Sequence, residues 1–429
     1  MADDGPAEGG GGDEAATVAA DSATVEEMVG RLGLAMLAAG YAVTDVGSTL
    51  RRVAHVTGRQ TMSVGALPNA ILIDDPSVQR ARVADMDPGT VLRFDQTQVV
   101  GTIAAAAAEG RADPTQVMAR LADVEAMPQR YPTWLMIVGN ALMAAGLSVV
   151  FRTSWGAVGI DFLVGLLVGA ILVGVARVPQ LMGLLPFSLG FLTSALVFAA
   201  GTWLHLGTVP LYAVFAPIVV LVPGAMITNA VIELAAGDVV SGGGRLVAGL
   251  VTWLMLLLGI LLGAGVVGVL PGELVTGPLT EIPVWAPWLG LLVMGLGITV
   301  TNSASPRLGI VVVVVLLVTY TIVAAFAAIT STIIASGIAA AVMLVVARLV
   351  ESRRRNLPTI VTFRPAFWLL VPGSMGLATL TELAGARTSA AETLIVTVFG
   401  TIVAISLGVQ IGAVISEAMV PHPTVDGPR

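Results

Sequence analysis

The sequence contains no lysine and no cysteine, and these absences exclude several kinds of chemistry. All twenty-one of its basic residues are arginine. Without lysine there is neither a P-loop lysine to bind phosphates nor an amine to form a Schiff base. Without cysteine there are no disulfides, thiolate metal ligands or thiol nucleophiles. The three histidines, His55, His205 and His422, lie in three different regions. We therefore predict neither a metal site nor a cofactor.

Charged residues of either sign are also scarce. They make up 11% of the 429 residues, whereas hydrophobic residues make up 56% and the mean hydropathy is +0.92. A soluble domain is about one-quarter charged. This composition predicts a membrane protein that is surrounded by a lipid bilayer. We expect no nucleic-acid partner, since much of the formal net charge of −7 lies in an acidic N-terminal tail.

The sequence predicts five parts of the chain. An acidic tail rich in glycine and alanine occupies residues 1–22; it lacks the features of a signal peptide, and we predict that it is disordered. A small cytoplasmic α/β domain is predicted over residues 23–131. Two membrane regions of five helices each are predicted over 132–275 and 276–420, followed by a cytoplasmic tail over 421–429.

Periodicity and turn signals predict the elements of the α/β domain. The predicted elements are helices over 24–40 and 44–58, strands over 59–67, 69–75 and 78–86, and helices that begin at Asp87-Pro88 and at Asp113-Pro114. His55 lies on the second of these helices among apolar neighbours. We predict no catalytic role for it.

Ten apolar segments in the rest of the chain are each near the 20 residues that a helix needs to cross a bilayer. They are residues 133–151, 155–176, 182–204, 210–234, 246–270, 282–301, 307–326, 331–349, 360–383 and 390–415. With the N-terminal domain in the cytoplasm, eight arginines fall in inner loops and two in outer loops. The positive-inside rule favours this orientation. An even number of spans returns the C-terminus to the cytoplasm.

The membrane region repeats itself. Residues 221–235 read LVPGAMITNAVIELA, and residues 370–384 read LVPGSMGLATLTELA, with eight of fifteen positions identical at an offset of 149 residues. The same offset maps the first five spans onto the last five. An odd number of spans in each half forces the two halves into opposite orientations. This pattern predicts an inverted-topology repeat, which is common in secondary transporters.

Each copy of the repeat places Pro-Gly inside an apolar helix, at Pro223-Gly224 and at Pro372-Gly373. Proline removes a backbone donor and disrupts the preceding turn. In lipid such a break is tolerated where its backbone groups find other partners or line a wet cavity. Pro223 is expected about 20 Å in from the outer end of its span, near the bilayer middle. We therefore predict a substrate site at these breaks, with a simple packing kink as the alternative.

Polar residues within the spans are the other candidates. Asn140, Thr228 and Asn229 are neutral and suit an uncharged or zwitterionic solute, although interhelical hydrogen bonding is the alternative. Asp161 is expected about 9 Å below the outer interface. An acid at such a depth is costly, and desolvation favours its neutral form, which suits a proton-coupling group.

Two glutamates follow the breaks. Glu233 and Glu382 occupy the same repeat position near the ends of their spans. Charged residues at span ends are ordinary. Because a glutamate occurs at the same position of both repeat copies, the alternative prediction is that the two glutamates are gate residues.

These motifs resemble the threonine/serine exporter family, in its single-chain form with fused halves. The matching segments are GYAVTDVGSTLRRVAHVTG at 40–58 and LVPGAMITNAVIELAAGDVVSGGGRL at 221–246. The residues on the family pattern are Pro223, Gly224, Asn229, Gly237, Asp238, Ser241, Gly242 and Arg245, with Asp161 also similar. Glu233 departs from it, because an aspartate is more usual there. We expect the resemblance to extend over nearly all of the chain after the tail.

The resemblance implies an exporter of threonine and serine in the inner membrane of a bacterium, driven by the proton motive force. It also adds Asp238 to the proton-coupling or gating candidates. The family's cytoplasmic domain is described as hydrolase-like, but no nucleophile, base and acid constellation is visible in this sequence. We therefore predict a transporter and no enzyme.

Several alternatives stay open at this point. A related split family is associated with dicarboxylate export, which makes succinate-like substrates an alternative. A membrane-anchored enzyme acting through the soluble domain and a passive channel are two further alternatives. A homo-oligomer is compatible with the sequence, since its apolar surface is expected to face lipid in any case.

Overall fold

The computed structural model describes residues 11–76, 80–87, 90–206, 209–269, 281–353, 359–370 and 388–419. The chain forms two compact units. The first comprises Met1–Leu92 and Gln96–Met127, and the second comprises Arg93–Asp95 and Pro128–Arg429. The first unit corresponds to the tail and most of the predicted α/β domain, and the second contains the predicted membrane helices.

The first unit combines helices with one small sheet. Its described elements are α1 (Gly11–Ala38), α2 (Val43–Val56), β1 (Ser63–Leu67), β2 (Ala70–Asp75), β3 (Arg80–Asp85), α3 (Phe94–Ala108) and α4 (Pro114–Ala126). The strands form an antiparallel meander in the order β1-β2-β3. The mixture of helices and strands agrees with the sequence prediction.

One face of this sheet is covered by α1. Ile71 and Ile73 of β2 are buried, while Leu72 between them is exposed, as expected for a strand with one covered face. Gly33 of α1 allows the close approach, because a Cβ at this position would lie 2.7 Å from the Ile71 side chain. The alternation read from the sequence therefore sets which strand residues enter the core.

Helix α4 begins where the sequence predicts it. The carboxylate of Asp113 accepts a hydrogen bond from the Thr115 N–H at 2.8 Å, and Pro114 follows the cap. An aspartate cap followed by proline is a common helix start, because the cap satisfies a free N–H and proline has none to satisfy.

The structure differs from the sequence prediction at two points in this unit. The tail is predicted to be disordered through residue 22, but α1 begins at Gly11, so residues 11–22 are helical. This segment is rich in alanine, the strongest helix former. The helix expected to begin at Asp87-Pro88 begins instead at Phe94. The Leu92 N–H donates to the Ala38 carbonyl at 2.9 Å, which holds Leu92 outside the helix.

The second unit consists of helices and their connections in the residues that the structure describes. Its α-helices are α5 (Thr133–Val150), α6 (Trp155–Val175), α7 (Leu185–Trp203), α8 (Leu211–Phe215), α9 (Gly224–Ala235), α10 (Val239–Val266), α11 (Ala286–Thr301), α12 (Pro306–Ala327), α13 (Thr332–Arg353), α14 (Thr359–Leu370) and α15 (Thr388–Met419). A 3-10 segment, Pro179–Leu184, precedes α7, and another, Ala216–Leu221, continues α8.

Seven helices in the described residues are long and apolar enough to cross a membrane. They are Thr133–Val150, Trp155–Val175, Gln180–Trp203, Val239–Val266, Pro306–Ala327, Thr332–Arg353 and Phe399–Ser416. An eighth span results if the bent pair Leu211–Leu221 and Met226–Ala235 is counted as one. The chain is thus a multi-pass helical membrane protein with seven or eight candidate spans, fewer than the ten predicted.

The two remaining predicted spans account for the difference. The span expected over 282–301 is the shorter apolar helix α11, which has 16 residues. The span expected over 360–383 is described only as far as α14, because residues 371–387 lie outside the described part of the chain.

Helices α5 and α11 cross closely in antiparallel directions. Gly139 lies opposite Gly297, and Gly146 lies opposite Gly290. A Cβ at Gly146 would be 2.6 Å from the Gly290 carbonyl oxygen, so the two backbones are in direct contact. Small residues permit this approach in membrane proteins, where packing and not hydrophobic exclusion joins helices.

Two further helix pairs pack through glycines spaced four residues apart. Gly259 and Gly263 of α10 lie against the backbone of α7, and Gly408 and Gly412 of α15 lie against the backbone of α13. The two glycine pairs are separated by 149 residues, the offset of the sequence repeat. The same kind of helix contact therefore occurs at equivalent positions of both predicted halves.

We predict that Gly259→Ala destabilises the second unit. The added Cβ meets the Phe187 carbonyl oxygen, and overpacking of this kind costs about 1–3 kcal/mol. The melting temperature of the purified protein in detergent should therefore fall.

Gly265, on the same helix, supplies the matched control. A Cβ there meets nothing within 4 Å, so Gly265→Ala should leave the melting temperature unchanged or slightly higher. Equal melting temperatures for the two alanine variants would contradict the close packing of α10 on α7.

Candidate functional site

The candidate site is built around a break in the span that contains Pro223. The helix axis turns by 65° between Leu211–Leu221 and Met226–Ala235. Pro223 and Gly224 are both buried at this turn. The break predicted from the first Pro-Gly pair is therefore present. Pro372 and Gly373, the second predicted pair, lie outside the described residues, as does Glu382.

Backbone hydrogen bonds at the break leave the start of α9 open. The Gly224 N–H bonds back to the Val222 carbonyl at 2.9 Å, and the Ile227 N–H bonds to the Pro223 carbonyl at 3.0 Å. The N–H groups between these two have no acceptor within α9. Together with the helix dipole, such groups make a helix N-terminus favourable for an anion.

Thr228 places a hydroxyl group one turn into α9. Its side chain is fully buried, and its Oγ1 has no hydrogen-bond partner within the described residues. A buried hydroxyl usually finds a partner. The neighbouring Asn229 is half-buried. The predicted binding residues Pro223, Gly224, Thr228 and Asn229 therefore lie together on one helix start.

Asn140 makes the interhelical contact that the sequence left as an alternative. Its side chain is buried, and its Nδ2 donates to the Gly165 carbonyl at 2.9 Å. This hydrogen bond joins α5 to α6. The close approach of the two helices is possible because Gly165 and Gly169 face α5 without side chains.

Asp161 is fully buried on α6. The Ser148 hydroxyl faces its carboxylate, but neither carboxylate oxygen has a hydrogen bond of regular geometry within the part of the chain that the structure describes. The hydroxyls of Ser148 and Thr153 lie 2.7 Å apart. The helix that carries Asp161 packs on α5 and on Ala216–Leu221, the segment just before the break.

Glu233 forms an ion pair with Arg245 that joins the end of α9 to α10. Glu233 Oε1 and Arg245 Nε are 3.3 Å apart, and the glutamate side chain is 0% exposed. Gly237 makes the intervening turn possible because its φ of +89° is a left-handed conformation. The Asp238 N–H bonds to the Glu233 carbonyl at 2.9 Å, while the half-buried Asp238 side chain forms no cap bond to α10.

The pairing of Arg245 with Glu233 was not predicted from the sequence, in which Arg245 is one of the eight arginines assigned to inner loops. A signal was nevertheless present, because an acid in an apolar helix requires a partner. The turn at Gly237 folds α10 back along α9 and brings Arg245 to Glu233.

These features together define a class of protein. Several long apolar helices, one broken span and a buried acid on a helix that packs against the segment before the break describe a multi-pass membrane protein with a candidate site for a small solute. The family model ThrE, described as "Putative threonine/serine exporter", matches residues 27–267. The match covers more than half of the chain, and the protein therefore belongs to this exporter family.

The matched range is shorter than the resemblance suggested. It covers most of the first unit and helices α5 to α10, and it ends before α11. No curated protein and no solved structure matches the chain. The family is one of exporters and not of enzymes, which implies a small-molecule substrate and a membrane environment.

We predict that Glu233→Gln destabilises the protein, because it leaves the largely buried Arg245 guanidinium without its counter-charge. Removing one partner of a buried ion pair costs about 3–5 kcal/mol. The melting temperature of the purified variant should fall clearly, and adding Arg245→Gln should recover part of the loss.

The exposed pair of Glu109 and Arg111 provides the control, with side chains that are 44% and 47% exposed. Glu109→Gln should change stability by less than about 1 kcal/mol. A Glu233→Gln variant as stable as the Glu109→Gln control would show that the buried pair does not hold α9 to α10.

Proposed function

We propose that this protein is a secondary transporter that exports threonine and serine from the cytoplasm, driven by the proton motive force. The observation that carries the proposal is the broken span at Pro223-Gly224, followed by the buried Thr228 hydroxyl, inside the region that matches the exporter family. In secondary transporters, broken helices commonly form the substrate site near the bilayer midplane.

An inverted repeat is the architecture that we propose for the membrane helices. The 149-residue offset relates the two sequence copies. The antiparallel crossing of α5 and α11 supports it, because these helices correspond to the first spans of the two halves. The glycine contacts of α10 with α7 and of α15 with α13 support it too, since they occur at the same offset.

The proposed substrate site favours a small zwitterion. Its carboxylate would lie at the N-terminus of α9, where N–H groups without intrahelical acceptors and the helix dipole stabilise negative charge. The Thr228 hydroxyl can both donate and accept, so it can bond the hydroxyl of threonine or serine. Asn229 offers further neutral polar atoms at the same helix start.

Asp161 is the proposed proton carrier. A charged acid near the membrane centre costs about 2.5–3.5 kcal/mol on insertion scales. The carboxyl group is therefore favoured in its neutral form while it is sealed from water, and it can ionise when its side of the protein opens. Binding a proton from outside and releasing it inside would then drive the outward movement of substrate. Glu233 and Asp238 are assigned to the closure of the inner end of α9.

The proposed location follows from the arginine distribution. The protein would lie in the inner membrane of a bacterium, with both termini in the cytoplasm. One contact supports the placement of the start of α5 and the end of α11 on the same side. The Tyr131 hydroxyl donates to the Ala304 carbonyl at 3.1 Å.

The proposed function predicts gene-dependent efflux of labelled threonine from cells loaded with a threonine-containing dipeptide. Efflux should collapse when a protonophore is added. Asp161→Asn cannot carry a proton, so its efflux should fall to the level of cells without the gene.

The control is Glu281→Gln, because Glu281 is an exposed acid of the same unit. It should leave efflux unchanged. In membrane vesicles, exchange of labelled for unlabelled threonine needs no net proton movement and should persist in Asp161→Asn. Protonophore-sensitive efflux by Asp161→Asn at the wild-type rate would remove Asp161 from the coupling mechanism. Absence of wild-type threonine and serine efflux would remove the proposed function itself.

A further inference from the structure

Three helices, α9, α10 and α15, meet near the start of α9. Ile227 of α9, Trp253 of α10 and Ile402 of α15 form a small buried cluster. Trp253 is 3% exposed, so nearly its entire side chain is enclosed by protein. The large indole ring thus lies in the interior of the unit, whereas Trp203 of α7 is 82% exposed.

The packing of α9 on α10 places Trp253 at the level of the break. Gly242 of α10 lies against Ala230, and Gly249 lies against Ile227. The two helices therefore run in opposite directions, and each step forward on α10 moves back along α9. Trp253 is about one helical turn beyond Gly249. That turn brings it level with Pro223 and Gly224.

The indole N–H of Trp253 has no hydrogen-bond acceptor within the described residues. A buried tryptophan N–H usually has one. Trp288 provides the comparison within this chain, since its Nε1 donates to the Thr321 hydroxyl at 3.3 Å. The Trp253 Nε1 and the Thr228 Oγ1 are thus two fully enclosed polar groups near the same helix start, and neither has a hydrogen-bond partner among the residues that the structure describes.

An indole N–H can only donate a hydrogen bond. Its partner must therefore supply an acceptor. Because the N-terminus of α9 favours negative charge, an anionic acceptor is preferred there. A carboxylate meets both conditions. The apolar side chains of Ile227 and Ile402 beside the ring leave the rest of such a ligand in a restricted, mostly apolar environment.

We propose that Trp253 is a substrate-binding residue whose indole N–H donates a hydrogen bond to the carboxylate of the exported amino acid. This inference rests on the proposed function and adds a specific residue and a specific ligand group to it. The opposing explanation is that Trp253 only fills space between α9, α10 and α15. The two explanations differ in whether the substrate carboxylate matters.

The test is transport by purified protein in lipid vesicles, with Trp253→Phe compared with wild type. Phenylalanine keeps an aromatic ring but removes the N–H. Two ligands are used: threonine, and 1-aminopropan-2-ol, which is threonine without its carboxylate. Loss of one charge-assisted hydrogen bond should raise the KM for threonine about tenfold. The inhibition constant of 1-aminopropan-2-ol, measured against threonine transport, should be the same in both proteins.

Trp203→Phe is the matched control, because it makes the same substitution at an exposed tryptophan of the same unit. It should leave both constants unchanged. The proposed contact with the carboxylate is wrong if Trp253→Phe has the wild-type KM for threonine, or if it weakens the binding of both ligands equally. The proposed function stands in either case. If wild-type protein transports neither threonine nor serine, the proposed function and this inference fail together.

A second measurement applies if Trp253→Phe does not fold. Wild-type protein labelled with nitrogen-15 at its seven tryptophans gives one indole signal for each. Threonine should shift one buried indole N–H signal in the direction of a stronger hydrogen bond, and 1-aminopropan-2-ol should not. Identical spectra with the two ligands would overturn the inference.

Discussion

Every backbone N–H and carbonyl group within a bilayer must find its partner inside the protein, and the membrane unit is organised by this constraint. Its long helices satisfy their backbone groups internally. Where the chain departs from a helix at Pro223-Gly224, the break is buried and not exposed to lipid. The first N–H groups of α9 have no acceptor within that helix, and we propose that a ligand supplies one. We propose that this ligand is an amino acid. The polar atoms of Thr228 and Trp253, which have no partner in the described part of the chain, lie near the same helix start.

Close helix contacts fix the surroundings of this break. Glycines bring α10 against both α7 and α9, so that the helix carrying Trp253 is held on two sides. The buried pair of Glu233 and Arg245 joins the other end of α9 to α10. Asp161 lies on α6, which contacts the segment that leads into the break.

Much of this arrangement could be predicted from local sequence signals. Apolar length predicted most of the spans, Pro-Gly predicted the break, and the Asp113-Pro114 pair predicted the start of α4. Contacts between distant residues could not be read in the same way. Arg245 looked like an ordinary loop arginine until the turn at Gly237 folded it onto Glu233, and the level of Trp253 depends on how glycines set the packing of α9 on α10. The start of α3 was misplaced because the hydrogen bond of Leu92 to Ala38 is a tertiary contact.

The proposed transport function requires that the break at Pro223-Gly224 binds the substrate. Its most direct test is the affinity of purified protein in lipid nanodiscs for labelled threonine, measured for wild type and for the double variant Pro223→Ala/Gly224→Ala. Alanine at both positions permits a continuous helix and removes the open start of α9. We expect wild-type protein to bind threonine and the variant, with its helix content retained by circular dichroism, to lose detectable binding. Equal affinity of the folded variant and the wild type would contradict the account.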